Sequence, residues 1–282
     1  MEIGATTRLI ALLGDPVDHS FSPTFQNAAI RGAGLDAVYL ALRCDADRFP
    51  DLLRALVAAG GAGNVTVPHK RRAAELVEDA TGAVRRTGAC NTFWPEGGRV
   101  LGHNTDVAGF SAAARVLIGS PAGARVLVLG AGGAARAAVA ALLDDRADAI
   151  HLLNRTVASA ESLRKDLDPR GRRVAVVPDA SGIRREGYDL VVNATPLGLQ
   201  RDDAAPLAFN AVSRIGAVLD LVYRPGGTAW VREARQRGID ASDGSEMLLR
   251  QGAESFRCWF GREPPLETMR HALDSAAVHR SG

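Results

Sequence analysis

The chain has 282 residues, 46% of them apolar and 23% charged, with a formal net charge of +2. That is enough chain for two ordinary domains with real cores, and too little charge for a nucleic-acid surface. Cys44, Cys90 and Cys258 are odd in number and widely spaced, against a disulfide framework or a zinc pair, and no stretch has the apolar length of a membrane span.

The N-terminus reaches Arg8 and Asp15 without a long apolar core, so it does not read as a signal peptide, and a cytoplasmic protein is the expectation. Up to about Asp106, short apolar runs alternate with helical patterns. Strands are predicted at Leu9 to Leu13, Val38 to Leu42, Asn64 to Val67 and as a pair around Thr92 and Val100. Helices are predicted to start near Pro23, where proline suits a first turn, and near Phe49. Gly119-Ser120-Pro121-Ala122-Gly123 breaks the pattern. Strand–helix units then run to about Ser242, with strands at Arg125 to Leu129, Ala149 to Leu153, Arg173 to Val177, Leu190 to Val192 and Ala217 to Leu219. That is the order of a doubly wound parallel sheet. Glu246 to Phe260 has a helical apolar pattern.

Loops of the first block are dense in polar groups. Gly14 to Pro23 sets Ser20 and Ser22 on alternate positions before a helix, where two hydroxyls and free N–H groups can grip a carboxylate. An N-cap serine with a spare neighbour is the other reading. Asn64 and Thr66 share one face of a strand end. Lys70 follows Pro68 and, taken alone, reads as a surface lysine. Cys90-Asn91-Thr92 and His103-Asn104-Thr105-Asp106 add amides, hydroxyls and a carboxylate. Neutral hydrogen-bonding groups with one lysine and one aspartate suit a polyhydroxylated acid.

In the second block, Val126 to Leu129 runs into Gly130-Ala131-Gly132-Gly133-Ala134-Ala135 and an alanine-rich helix. This is the pattern of a pyrophosphate turn. Gly130 permits the turn, Gly132 lets backbone approach the phosphates, and Ala135 is small where helix meets strand. The next strand ends at Asn154-Arg155-Thr156, about 20 residues past the glycines, where an NAD enzyme carries Asp or Glu. An amide, a guanidinium and a hydroxyl suit a 2′-phosphate instead, which favours NADP(H). A surface arginine opening a helix is the competing reading.

Taken together, these motifs resemble the shikimate dehydrogenase family. The matches are GxPxxHSxSP at Gly14 to Pro23, NVTVPxK at Asn64 to Lys70, GAxNT at Gly88 to Thr92 and GxNTD at Gly102 to Asp106. GAGGAxRA follows at Gly130 to Ala137, then NRT at Asn154, Asn193-Ala194-Thr195, Asp220-Leu221-Val222-Tyr223, and DGxxMLxxQ at Asp243 to Gln251. The resemblance implies an α/β protein of two domains, an N-terminal substrate domain and a C-terminal Rossmann NADP-binding domain. The expected bounds are 1–107 and 108–244, with 245–282 returning to the first.

It further implies reversible reduction of 3-dehydroshikimate to shikimate, a step of aromatic amino-acid (chorismate) biosynthesis, with NADPH as hydride donor. By motif position, Lys70 and Asp106 resemble the catalytic pair. Ser20 and Ser22 match the carboxylate grip, and Asn64, Thr66, Asn91, Thr105 and Gln251 the hydroxyl contacts, with Tyr223 nearby. Gly130, Ala131, Gly132, Gly133, Ala134, Asn154, Arg155, Thr156, Thr195, Leu221 and Gly244 match the cofactor positions. The chemistry suits the pair, because an ammonium both stabilises and protonates the oxygen of a ketone receiving hydride. Asp106 then orients Lys70 and binds an adjacent hydroxyl.

Three positions depart from the family pattern. Ser159 stands where a second basic residue often clamps the phosphate, and Val107 where glycine often follows NTD. Ser245 and Glu246 replace small residues or proline. Glu246 is expected near the nicotinamide edge, although it also reads as a solvated first-turn glutamate. Quinate/shikimate and aminoshikimate dehydrogenases share most of these motifs. An idle nucleotide-binding regulator is disfavoured by retention of Lys70 and Asp106, and a folate-linked dehydrogenase by the double serine. The expected partner is a small molecule, with neither nucleic acid nor membrane, and the protein a monomer or homodimer.

Overall fold

The computed structural model describes residues 3–183, 186–200, 202–224 and 226–279. The chain divides into two compact units, Met1–Thr105 with Gln251–Gly282, and Asp106–Arg250.

The first unit contains β1 (Arg8–Gly14), α1 (Ser22–Gly32), β2 (Ala37–Arg43), α2 (Phe49–Ala58), β3 (Ala62–Val65), α3 (Lys70–Leu76), β4 (Asp79–Ala80), α4 (Gly82–Thr87), β5 (Thr92–Glu96) and β6 (Arg99–His103). Its sheet runs β2-β1-β3-β5-β6-β4. β1 is parallel to β2 and β3, whereas β5 is antiparallel to both β3 and β6. Ile10 to Leu13 are buried on both faces, as an apolar run in a central parallel strand requires. Leu13, Val65 and Phe93 from the sheet pack with Phe49 and Leu53 of α2 in one core.

α5 (Thr105–Ile118) opens the second unit, followed by β7 (Arg125–Leu129), α6 (Gly133–Asp144), β8 (Ala149–Leu153), α7 (Val157–Leu167), β9 (Val174–Val177), a short 3-10 turn (Ala180–Ile183), β10 (Gly187–Asn193), β11 (Arg214–Asp220), α8 (Ala229–Gln236) and β12 (Asp240–Ser242). α9 (Ser245–Phe260) starts in this unit and continues into the first, where α10 (Leu266–His279) ends the chain. The six strands are all parallel, in the order β12-β11-β10-β7-β8-β9. That is the doubly wound Rossmann order, whose switch point lies between β7 and β10. Ala135, Ala137, Ala138, Ala140 and Ala141 of α6 are buried, so small side chains bring this helix close to the sheet.

The chain-order reading differs from the structure in several places. β3 ends at Val65, leaving Thr66 and Val67 in the turn before α3. β9 starts at Val174, and β10 and β11 are longer than their apolar centres. The short β4 and β12 carry no legible period. No helix among the described residues is long and apolar enough to cross a membrane.

Candidate active site

The polar groups of the first unit form one buried network. Asn64 lies in the buried strand β3, and its Nδ2 has three acceptors in reach of its two N–H groups: the Asn91 carbonyl (3.0 Å), Thr92 Oγ1 (2.9 Å) and Ser255 Oγ (2.9 Å). Its Oδ1 accepts from the Tyr39 hydroxyl at 2.9 Å. Asn91 Oδ1 accepts from the Thr105 backbone N–H at 2.8 Å, and its Nδ2 lies 3.0 Å from Thr105 Oγ1. Thr105 Oγ1 reaches Gln251 Oε1 at 3.4 Å. Such a network is stable only because its members satisfy one another, and the same bonding presets their directions.

Ser20 and Ser22 sit at the start of α1. Ser20 Oγ accepts from the Ser22 N–H at 3.1 Å, and Ser22 is bonded through its side chain to Tyr39. Neither serine caps the helix. The N-cap is Phe21, without a side-chain cap bond, so the N-cap-serine reading is corrected: α1 begins at Ser22 itself, one residue before Pro23, which puts Ser22 inside the helix. Thr66, on the turn, donates its N–H to the Leu13 carbonyl. Lys70 opens α3 and is half-buried, against its reading as a surface lysine, and its carbonyl takes the Cys90 N–H at 2.8 Å. The preceding His69 is buried, with Nε2 donating to the Cys44 carbonyl at 2.8 Å and its ring stacked on Phe49. The start of α3 is therefore anchored on both sides of Lys70.

The structure thus brings Asn64, Asn91, Thr105 and Gln251 into one network, links it through Tyr39 to Ser22, and sets Thr66 on the adjoining turn and Lys70 at the start of α3. Asp106 and Tyr223 belong to the second unit, Asp106 buried in the first turn of α5 and Tyr223 half-buried after β11. Tyr39 and Ser255 were not expected as site residues, and Thr92, whose hydroxyl the motif offered, was given no substrate contact of its own. Ser255 was findable from its i, i+4 spacing to Gln251 on a helix, which puts both on one face.

In the second unit, Gly130 follows β7 with φ +107°, and a Cβ there would lie 2.8 Å from the Ala194 carbonyl oxygen. Only glycine meets both conditions. Gly132 is the N-cap of α6 and offers no side-chain cap, so first-turn N–H groups stay open. Gly132, Gly133 and Ala134 are exposed and Ala131 is half-buried, and a Cβ on either glycine would meet nothing within 4 Å. This open cradle at a helix N-terminus fits a pyrophosphate. At the end of β8, Asn154 Nδ2 donates to the Thr156 carbonyl at 2.8 Å. Arg155, Thr156 and Ser159 are exposed, and Arg155 makes no ion pair among the described residues, which fits a guanidinium kept for a 2′-phosphate.

Below the turn, Asn193 ties the remaining cofactor positions together. Its Oδ1 accepts from Thr195 Oγ1 (2.6 Å) and the Thr195 N–H (3.0 Å), and its carbonyl takes the Leu221 N–H. Its Nδ2 donates to buried Asp220, which also accepts from Thr228 and Val222. Burial pushes the Asp220 carboxyl above its usual range despite those bonds. A Cβ on Gly244 would lie 2.3 Å from the Leu221 carbonyl oxygen, so the two backbones touch. Glu246 is not the solvated glutamate of the sequence reading. It is buried, and its Oε1 takes Arg250 Nε at 2.7 Å, because residues i and i+4 of α9 share a face. Among the described residues no group of His, Cys, Asp and Glu is arranged to hold a metal.

Three family models match in chain order: the shikimate dehydrogenase substrate binding domain over residues 12–93, shikimate/quinate 5-dehydrogenase over 112–196, and the shikimate 5′-dehydrogenase C-terminal domain over 244–273. An NADP(+) shikimate dehydrogenase of Rubrobacter xylanophilus is 43% identical over 276 residues, 96% of this chain and 97% of that protein. The chain belongs to the shikimate dehydrogenase family. The Thermus thermophilus shikimate 5-dehydrogenase, solved with NADP(H) and shikimate, is 36% identical, with a TM-score of 0.85 over 95% of this chain and 99% of that one. A quinate dehydrogenase of Corynebacterium glutamicum, solved with NAD, is 28% identical, with a TM-score of 0.87 over 95% and 99%. Structures on this one fold thus carry both shikimate and quinate dehydrogenase names and have been solved with either nicotinamide.

Proposed function

We infer that this chain is an oxidoreductase that interconverts 3-dehydroshikimate and shikimate with NADP(H), within chorismate biosynthesis. The observation that carries this is the buried network joining Asn64, Asn91, Thr105 and Gln251 beside Ser20, Ser22 and Lys70. It supplies hydroxyl-binding groups of preset direction next to a carboxylate grip and a cation, the demands of a polyhydroxylated acid. NADP-linked relatives alike over nearly the whole chain support the same reading.

In this reading Ser20 and Ser22 donate to the substrate carboxylate, while Asn64, Thr66, Asn91, Thr105 and Gln251 bind its hydroxyls. Lys70 Nζ stabilises the carbonyl oxygen as charge develops there and delivers the proton. In the oxidative direction neutral Lys70 takes the hydroxyl proton. Asp106 and Tyr223 carry the roles of their family positions. Gly130 to Ala134 and the α6 N-terminus hold the pyrophosphate, Asn154, Arg155 and Thr156 the 2′-phosphate, and Thr195, Leu221 and Gly244 the nicotinamide side. The cofactor, when bound, supplies the hydride. The functional domains are proposed as 1–107 with 245–282, and 108–244. A cytoplasmic monomer or homodimer completes the reading.

Nicotinamide absorbance with shikimate, quinate and no substrate, each with NADP+ and NAD+, tests this. Turnover of shikimate with NADP+ is expected. Faster turnover of quinate would place the chain among quinate/shikimate paralogues, and cofactor binding without turnover would make it a regulator.

A further inference from the structure

Ser255 lies four residues after Gln251 on α9 and is fully buried. Its Oγ is 2.9 Å from Asn64 Nδ2, 2.9 Å from Thr92 Oγ1 and 3.2 Å from Thr105 Oγ1, and it donates to the Gln251 carbonyl at 3.0 Å. One oxygen therefore joins β3, β5, the start of α5 and α9. A serine hydroxyl has one proton and two lone pairs. With the proton on the Gln251 carbonyl, both lone pairs are left to accept from the sheet side, where Asn64 has one N–H beyond the one on the Asn91 carbonyl, within reach of Ser255 and Thr92.

The Asn64 amide has a single consistent orientation. The Asn91 carbonyl can only accept, so nitrogen must face it. On the other side the Tyr39 hydroxyl meets Oδ1, and burial raises the phenol's pKa, which keeps it a donor. A flipped amide would set oxygen against the Asn91 carbonyl, a buried repulsion. Ser255 supplies an acceptor that rewards the unflipped state and ties it to α9, the element that carries Gln251.

We propose that Ser255 is a positioning residue for substrate binding, its buried hydroxyl holding Asn64 in register with Thr105 and Gln251. The proposal rests on the reading above that Asn64 binds a substrate hydroxyl. Because the network is assembled before substrate arrives, Ser255 acts on the ground-state complex and the transition state alike, and so on KM more than on kcat.

The test is steady-state kinetics with shikimate and NADP+ on wild type, Ser255→Ala, Ser255→Cys, Asn64→Ala and the Ser255→Ala/Asn64→Ala double variant, with thermal midpoints recorded. Ser255→Ala is expected to raise the shikimate KM about fivefold to tenfold, with kcat falling less than about threefold and the NADP+ KM unchanged. Ser255→Cys puts a larger sulfur that accepts more weakly at the same place, so its KM should rise at least as far as that of Ser255→Ala. In the Asn64→Ala background the serine change should add less than about twofold, since its effect passes through Asn64. A Ser255→Cys enzyme with wild-type KM would reduce the role to space filling and overturn the proposal, as would an equal effect of Ser255→Ala with and without Asn64. If Asn64→Ala itself left KM unchanged, the contact between Asn64 and substrate would be the part that fails.

Discussion

In the first unit, Asn64, Asn91, Thr92, Thr105 and Ser255 are buried and bonded to one another. In the second, Gly132, Gly133, Ala134 and Arg155 are exposed, and the α6 N-terminus has no side-chain cap. The difference follows from where each set of groups finds its partners. Buried polar atoms must be paired within the protein, and that pairing gives the neutral hydroxyls of a stereochemically complex substrate a template of fixed direction. Exposed N–H groups and a guanidinium are satisfied by water, and an anion can replace that water without unmaking protein bonds. One surface is set before its ligand comes, and the other is completed by it.

The largest effect should come from a residue that acts on the chemistry and lies outside the network. Lys70→Ala is expected to cut kcat by about 10²-fold or more, with substrate binding less affected. Near wild-type turnover in the absorbance assay would remove Lys70 from the mechanism. On the exposed side, Arg155→Ala should weaken NADPH binding by roughly 1.5–3 kcal/mol, the scale of a charge-assisted hydrogen bond, and leave NADH nearly untouched. Equal loss of kcat/KM with both cofactors would rule out the 2′-phosphate role.

Ser20→Ala and Ser22→Ala should each raise the shikimate KM by a factor equivalent to roughly 1.5–3 kcal/mol, with kcat largely kept. Unchanged KM in both would place the carboxylate elsewhere. Stability separates the two regions directly. Asn91→Ala strips partners from Thr105 and should lower unfolding free energy by about 1–3 kcal/mol, whereas Arg155→Ala should stay within about 0.5 kcal/mol of wild type. Urea midpoints that move equally would erase the contrast.

The smallest effect probes the exception, a buried carboxyl beneath the open turn. Asp220 has a folded-state pKa raised by burial. Between the ordinary carboxylate value and that raised value, the folded state holds the proton and the unfolded state does not. Its contribution is therefore fully present at lower pH and fades as pH rises through the folded pKa. Urea titrations of wild type and Asp220→Asn at several pH values should show wild type losing ground to the variant over that window. A difference flat with pH would contradict the raised pKa.

How much could be read from residues alone varied with burial. β7 and β8 match the runs Arg125 to Leu129 and Ala149 to Leu153, because both are interior strands marked off by glycine or asparagine. β11 was legible only at Ala217 to Leu219. Its opening residues Arg214 to Gly216 are not fully buried, and Ile215, set between arginine and glycine, is too isolated an apolar residue to mark a strand. Asn64, Asn91 and Thr105 stood in recognisable motifs, but Tyr39 and Ser255 did not, and Ser255 is 191 positions from Asn64. Glu246 looked solvated because helix position says nothing about what covers a helix face.

The sequence by itself determined the order of elements, the parallel winding of the second unit, the glycine turn and the types of polar group available. These follow from local sterics and apolar period, which act over a few residues. Only the tertiary structure decided which hydroxyl meets which amide, that Glu246 is buried against Arg250, and that Ser255 joins four elements at one oxygen. Those are facts about atoms brought within 3 Å by packing of distant segments, and hydrogen bonding at that range depends on direction and burial that no local pattern carries.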